Sequence, residues 1–149
     1  MKRLDRIVQR WRIAKAVPFI AEGASVFDIG SGDGRLFEIV GERISFGLGV
    51  DPLLPETIEG PSYRIMPAQF PEYLPAEQKF DVITMLAVLE HFPEEVLQKC
   101  SQICWELLNT GGHVIITVPS KYIDGILNLL RFLRLVDAET LGEHHGFEV

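Results

Sequence analysis

The sequence predicts an α/β domain built on a mainly parallel sheet with helices on both faces. Three observations predict it. Short apolar runs alternate with helical stretches five times along the 149 residues. The runs are almost continuously apolar, as strands buried on both faces are, and do not alternate polar with apolar. A glycine-rich turn follows the first run directly, where such sheets place a ligand.

The elements follow in order. Residues 3 to about 17 carry Leu4, Ile7, Trp11 and Ala14 at helical spacing among Arg3, Arg6, Arg10, Arg12 and Lys15. This predicts a basic amphipathic helix that packs by its apolar stripe, solvates its basic face and ends at Pro18. The first strand is 25–29, followed by a helix over 34–42. The second strand, 46–50, ends at Asp51-Pro52. Pro55 and Gly60-Pro61 mark turns before a short third strand at 63–66. Residues 67–75 hold three prolines and read as a loop. The fourth strand is 80–85. Pro93 opens a helix that continues to about Leu108 and is ended by Thr110-Gly111-Gly112. The fifth strand, 113–118, stops at Pro119, and a last helix covers 122–135 before a polar tail. The expected fold is one doubly wound, Rossmann-like domain over 1–149, with five strands in the order 3-2-1-4-5.

Composition narrows the function classes. With 47% hydrophobic and 23% charged residues, the chain can bury one core. A net charge of −7 argues against a general binder of nucleic acid or anionic membrane, although basic residues cluster at the start. No signal peptide and no membrane-length apolar run are seen, which points to the cytoplasm. Cys100 and Cys104 share a helix face with Leu97 and Leu107, so buried core thiols are expected there and no metal site.

The chemistry concentrates in Val26-Phe27-Asp28-Ile29-Gly30-Ser31-Gly32-Asp33-Gly34. Glycine at every second position permits a sharp turn with exposed N–H groups, and a helix beginning near Gly34 adds the positive end of its dipole. The cradle suits an anionic or strongly polar ligand. A dinucleotide site wants G-x-G-x-x-G, whereas here the spacing is G-x-G-x-G. Asp51 ends the second strand about twenty residues later. A carboxylate there can accept hydrogen bonds from two ribose hydroxyls, or cap the turn before Pro52. The ribose role fits a nicotinamide dinucleotide as well as S-adenosylmethionine (SAM).

Four segments carry a more specific resemblance: D-x-G-x-G-x-G at Asp28–Gly34, Asp51, the stretch from Phe80 to Phe92 (FDVITMLAVLEHF), and Leu107 to Pro119 (LLNTGGHVIITVP). In that order and spacing they resemble the class I SAM-dependent methyltransferases of small molecules, especially the ubiquinone-pathway O-methyltransferase group. The resemblance implies SAM as cofactor and a small-molecule methyl acceptor, and the acidic net charge adds the expectation of no nucleic-acid partner. It implies that Gly30, Gly32 and Gly34 line the methionine part, with Asp28 fixing the turn. Asp51 would hold the ribose, and Met85 and Leu86 would pack near the ribose and sulfonium. Ala68 and Gln69 match the segment that covers adenine. The family commonly carries an acid just before that alanine, and this chain has Pro67 there. His91 is a weak candidate for a general base, and the Glu90-His91 pair more often shapes its loop. His144 and His145 lie in the polar tail and read as a solvated end or as a cover over an acceptor.

The family's last two strands have no counterpart before residue 149. A shortened chain, a minimal domain whose last helix covers the edge, or completion by another chain would each account for that. Leu127, Leu129, Leu130, Phe132, Leu133 and Leu135 make the last helix apolar enough for a homodimer contact. A SAM-binding module without turnover is the alternative to an enzyme, and a nicotinamide-dependent oxidoreductase is the third reading.

Overall fold

The computed structural model describes residues 3–75 and 78–118. The expected helix over 122–135, His144, His145 and the homodimer contact lie outside the described residues.

Six strands form one sheet: β1 (Ser25–Ile29), β2 (Phe46–Val50), β3 (Ile58–Glu59), β4 (Tyr63–Met66), β5 (Phe80–Leu86) and β6 (Leu108–Thr117). Their spatial order is β3-β4-β2-β1-β5-β6. The five expected strands stand in the expected order as β4-β2-β1-β5-β6, all parallel. The correction is β3, a two-residue antiparallel edge strand paired to β4. It sits between Pro55 and Gly60-Pro61, too short to show a period.

Helices α1 (Arg3–Ala16) and α2 (Arg35–Val40) cover one face, and α3 (Glu94–Leu107) covers the other. Side-chain parity along the strands divides the core. Val26, Val82, Ile65, Ile13, Phe37 and Val40 pack on the α1–α2 side. Phe27, Ile29, Ile83, Met85, Cys100, Cys104 and Leu107 pack on the α3 side. Phe27 is the centre of the second group. It is stacked on Phe80 with ring centroids 5.2 Å apart and meets Phe70 edge-on at 6.2 Å. Both cysteines are free and buried, as expected of core thiols.

Two local expectations change. The Thr110-Gly111-Gly112 stretch does not end α3; that helix stops at Leu107 and the glycines lie inside β6. They accommodate an irregularity there. Phe80 pairs with Leu108 but Val82 with His113, Gly111 has φ +84°, and a Cβ on Gly112 would lie 2.9 Å from the Asp81 carbonyl oxygen. The second change is α1. Its inward residues are Gln9, Arg12, Ile13 and Ala16, while Ile7, Trp11 and Ala14 face outward. The amino-terminal half of the helix lies over the polar glycine turn, where Gln9 Nε2 donates to Asp33 Oδ1 (3.1 Å), so an apolar stripe has no partner on that side.

Candidate functional site

The turn after β1 is pinned to the end of β2. The N–H groups of Gly30 and Ser31 both donate to the Val50 carbonyl (2.9 and 3.1 Å), and Gly34 N–H donates to Ser31 O (3.0 Å). The glycines are needed for different reasons. A Cβ on Gly30 would run into Val88, and one on Gly34 would lie 2.5 Å from Ile65 Cδ1. Gly32, at φ +53°, faces open space. Two glycines thus let neighbouring elements close in, and the third keeps the turn bare.

Asp51 follows β2 and is half-buried. Its Oδ2 accepts from Gly32 N–H (2.9 Å) and its Oδ1 from Leu53 N–H (2.9 Å). The carboxylate therefore both braces the glycine turn and caps its own, and each oxygen keeps a lone pair for a ligand.

Asp28 is 3% exposed. It pairs in register with Thr84 of β5, whose hydroxyl donates to Asp28 Oδ1 at 2.6 Å. Burial pushes the Asp28 carboxyl up to about 7; the Thr84 bond opposes this and the charge of Asp51 adds to it. Thr84, a polar residue inside an apolar strand, is the member of the site that sequence reasoning passed over. Its position opposite Asp28 follows only once the parallel register is known.

A cleft of about 430 Å³ opens at the carboxyl ends of the strands. Gly30, Asp51, Gln69, Leu86 and His91 line it, and Leu53, Phe70, Val88, Phe92 and Val96 give it apolar walls. A smaller cavity of about 50 Å³ lies under α1, lined by Gln9, Arg12, Asp28, Ser31 and Leu36. Gly30 and Leu86 belong to both, so the two spaces meet at the glycine turn. Ser31 Oγ is buried there without a hydrogen-bond partner.

The structure thus brings Asp28, Gly30, Asp51, Gln69, Leu86 and His91 to the two cavities, with Gly32 tied to Asp51. Gly34 is buried at the start of α2. Ala68 packs against the α3-side core and donates its N–H to Met66 O (2.8 Å). Met85 stands apart: it is 2% exposed, with its sulfur 3.9 Å from Cys100 Sγ. Parity explains the division, because Met85 and Leu86 point to opposite faces. Arg12 and Gln9 are the further residues that sequence reading missed, since the apolar stripe of α1 suggested the opposite orientation.

A sequence profile for a family described as a methyltransferase domain matches residues 2–147. The chain belongs to this family. The methyltransferase domain is 30% identical over 142 residues to the ubiquinone biosynthesis O-methyltransferase of Acinetobacter baumannii (strain AYE), covering 84% of this chain and 57% of that protein. The protein of the same name from Psychrobacter arcticus is 26% identical over 133 residues, covering 79% and 51%. The chain spans just over half the length of these relatives.

Solved structures share the fold. Precorrin 8W decarboxylase from Methanobacterium thermoautotrophicum superposes with a TM-score of 0.64 over 83% of this chain and 70% of that one, at 19% identity. The N-methyltransferase NodS from Bradyrhizobium japonicum, in complex with S-adenosyl-L-homocysteine, gives 0.61 over 73% and 61%, at 15% identity. SAM is the cofactor that goes with this family.

Proposed function

We propose that this domain binds SAM across the two cavities and directs its methyl group to a small-molecule acceptor at the carboxyl end of the sheet. The observation that carries the reading is the Asp51 carboxylate braced against the glycine turn where the cavities meet. The adenosyl end suits the larger cleft. Asp51 accepts the ribose hydroxyls with its remaining lone pairs. Gln69 offers the adenine edge both a donor and an acceptor, in place of the acid that Pro67 replaces. Val88, Phe70 and Leu53 supply apolar contact. The amino-acid end suits the space under α1, where the Arg12 guanidinium meets a carboxylate and Asp28 an ammonium. The unpartnered Ser31 Oγ and the bare Gly32 are what a polar ligand at that turn requires. Gly34 and Ala68 act by shaping the backbone, and Met85 by packing beneath the site.

When bound, SAM supplies an electrophilic methyl on a sulfonium, so the chain must orient the acceptor more than activate it. His91, exposed on the cleft wall, is our candidate to take the proton of an acceptor hydroxyl. The names of the curated relatives support a small-molecule acceptor. Among the described residues no helix is long and apolar enough to cross a membrane. The absence of any apolar run of membrane length supports the cytoplasm, and a homodimer through residues 122–135 is read from their apolar sequence.

Calorimetric titration with SAM, and separately with NADH, tests the proposal. SAM is expected to bind in the micromolar range and NADH to give no heat. Asp51→Ala, which loses charge-assisted bonds to both turn and ribose, weakens SAM binding about tenfold to a hundredfold. Unchanged affinity in that variant would remove the assignment.

A further inference from the structure

The face of α1 that points away from the sheet is its apolar one. Ile7 and Trp11 are 64% and 62% exposed, and Ala14 continues the line at helical spacing. Phe19, on the turn that follows the helix, is 64% exposed. Exposed Arg10 borders this stripe on one side and Lys15 on the other, with Lys15 Nζ 5.8 Å from the centre of the Trp11 ring. A solvated helix shows the reverse pattern, and an aromatic patch rimmed by cations marks a contact surface.

Charge indicates what the surface meets. Lys2, Arg3, Arg6, Arg10, Arg12 and Lys15 stand against Asp5 alone, in a chain whose net charge is −7. The basic residues of the first helix are therefore set against an otherwise strongly acidic molecule. A single helix presents a convex ridge and offers no groove for a peptide. Its centre is aliphatic and aromatic with cations at the flanks, the layout of a helix lying in a bilayer interface. A nucleic acid would use the cations but would leave Ile7 and Val8 unmatched.

We propose that α1 docks the domain on an anionic lipid surface, with Ile7 and Trp11 entering the interfacial layer and Arg10 and Lys15 at the headgroup phosphates. Arg12, turned inward to the small cavity, takes no part. The helix rests on the bilayer and does not span it. The proposal is independent of the methyl-transfer reading, and a failed SAM titration would leave it standing.

The chain has two tryptophans, so Trp105→Phe at an exposed site leaves Trp11 as the sole indole reporter. Vesicles of phosphatidylglycerol with phosphatidylcholine are compared with pure phosphatidylcholine by flotation and by tryptophan emission. Expected are flotation with the anionic vesicles alone, a shift of Trp11 emission to shorter wavelength, and weakening by salt. Arg10→Ala combined with Lys15→Ala lowers the partition about 30-fold. Ile7→Ala with Trp11→Ala removes flotation, while circular dichroism shows that the fold is kept. No flotation, equal binding to both vesicle types, unmoved Trp11 emission, or variants that bind as well as the parent would each overturn the proposal. So would vesicles being ignored while the same substitutions abolish binding to a short DNA duplex or self-association in sedimentation.

Discussion

Asp28 and Asp81 sit on neighbouring strands and meet opposite treatment. Asp81, near the amino end of β5, accepts from the Ser25 N–H and hydroxyl and from the Asn109 amide, each at 2.8 Å. These donors hold its carboxyl below the usual range, led by the Ser25 backbone bond. Asp28, near the carboxyl end of β1, has one donor and is pushed up by burial. The contrast extends to their surroundings. Among the described residues, the buried side-chain atoms without partners are Ser31 Oγ, Glu90 Oε2 and Thr117 Oγ1, all at the carboxyl end of the sheet. At the amino end, Asp81 spends its hydrogen-bonding capacity tying β1, β5 and β6 together. At the carboxyl end part of that capacity is left unused.

The largest expected effect that sharpens this contrast is in the pH dependence of stability. The folded chain holds the Asp28 proton between about pH 4 and pH 7, where the unfolded chain has lost it. Stability from this group is full below about pH 4, falls as pH rises to 7, and is level above that. Over roughly three pH units this amounts to ~4 kcal/mol. Asp28→Asn removes the slope, so urea melts at pH 5 and pH 8 should differ less in the variant than in the parent. Equal slopes would mean that Asp28 is not held protonated.

Asp81→Asn comes next and has the opposite sign. The lowered carboxyl contributes stability above the unfolded pKa and loses it as pH falls through the folded one. The variant should lose about 1–2 kcal/mol at pH 7, discounted for partial exposure, with the difference shrinking as pH falls below the usual carboxylate range. A constant difference across pH would show that the loss is one of packing. Met85→Leu should have the smallest effect. As a volume-conserving change in the α3-side core, it should cost less than about 1.5 kcal/mol and leave SAM affinity unchanged by calorimetry. A several-fold loss of affinity would move Met85 into the site and blur the line drawn by strand parity.

The parallel sheet was legible because strands buried on both faces read as plain apolar runs, and the glycine turn and Asp51 because their spacing follows from the turn itself. What escaped had physical reasons. β3 is two residues long and owes its place to β4. The choice between Met85 and Leu86 depends on which face each strand position takes, and the sequence motif names both. Gly111-Gly112 looks like a helix stop, yet it serves an irregularity fixed by the partner strand and the Asp81 carbonyl. The seating of α1 was misread because an amphipathic stripe implies a buried apolar face only when something apolar lies beneath it.

The Gln9–Asp33 bond has a kinetic consequence. Ile13 and Ala16 pin the carboxyl-terminal half of α1 into the core, whereas the amino-terminal half is fastened to the turn by this exposed contact. A bond of that kind contributes roughly 1 kcal/mol, so the amino-terminal half should open more readily than the half held by the core. Gln9 lines the space beneath, and the escape of anything held there should follow the strength of a side-chain amide's hold on one carboxylate.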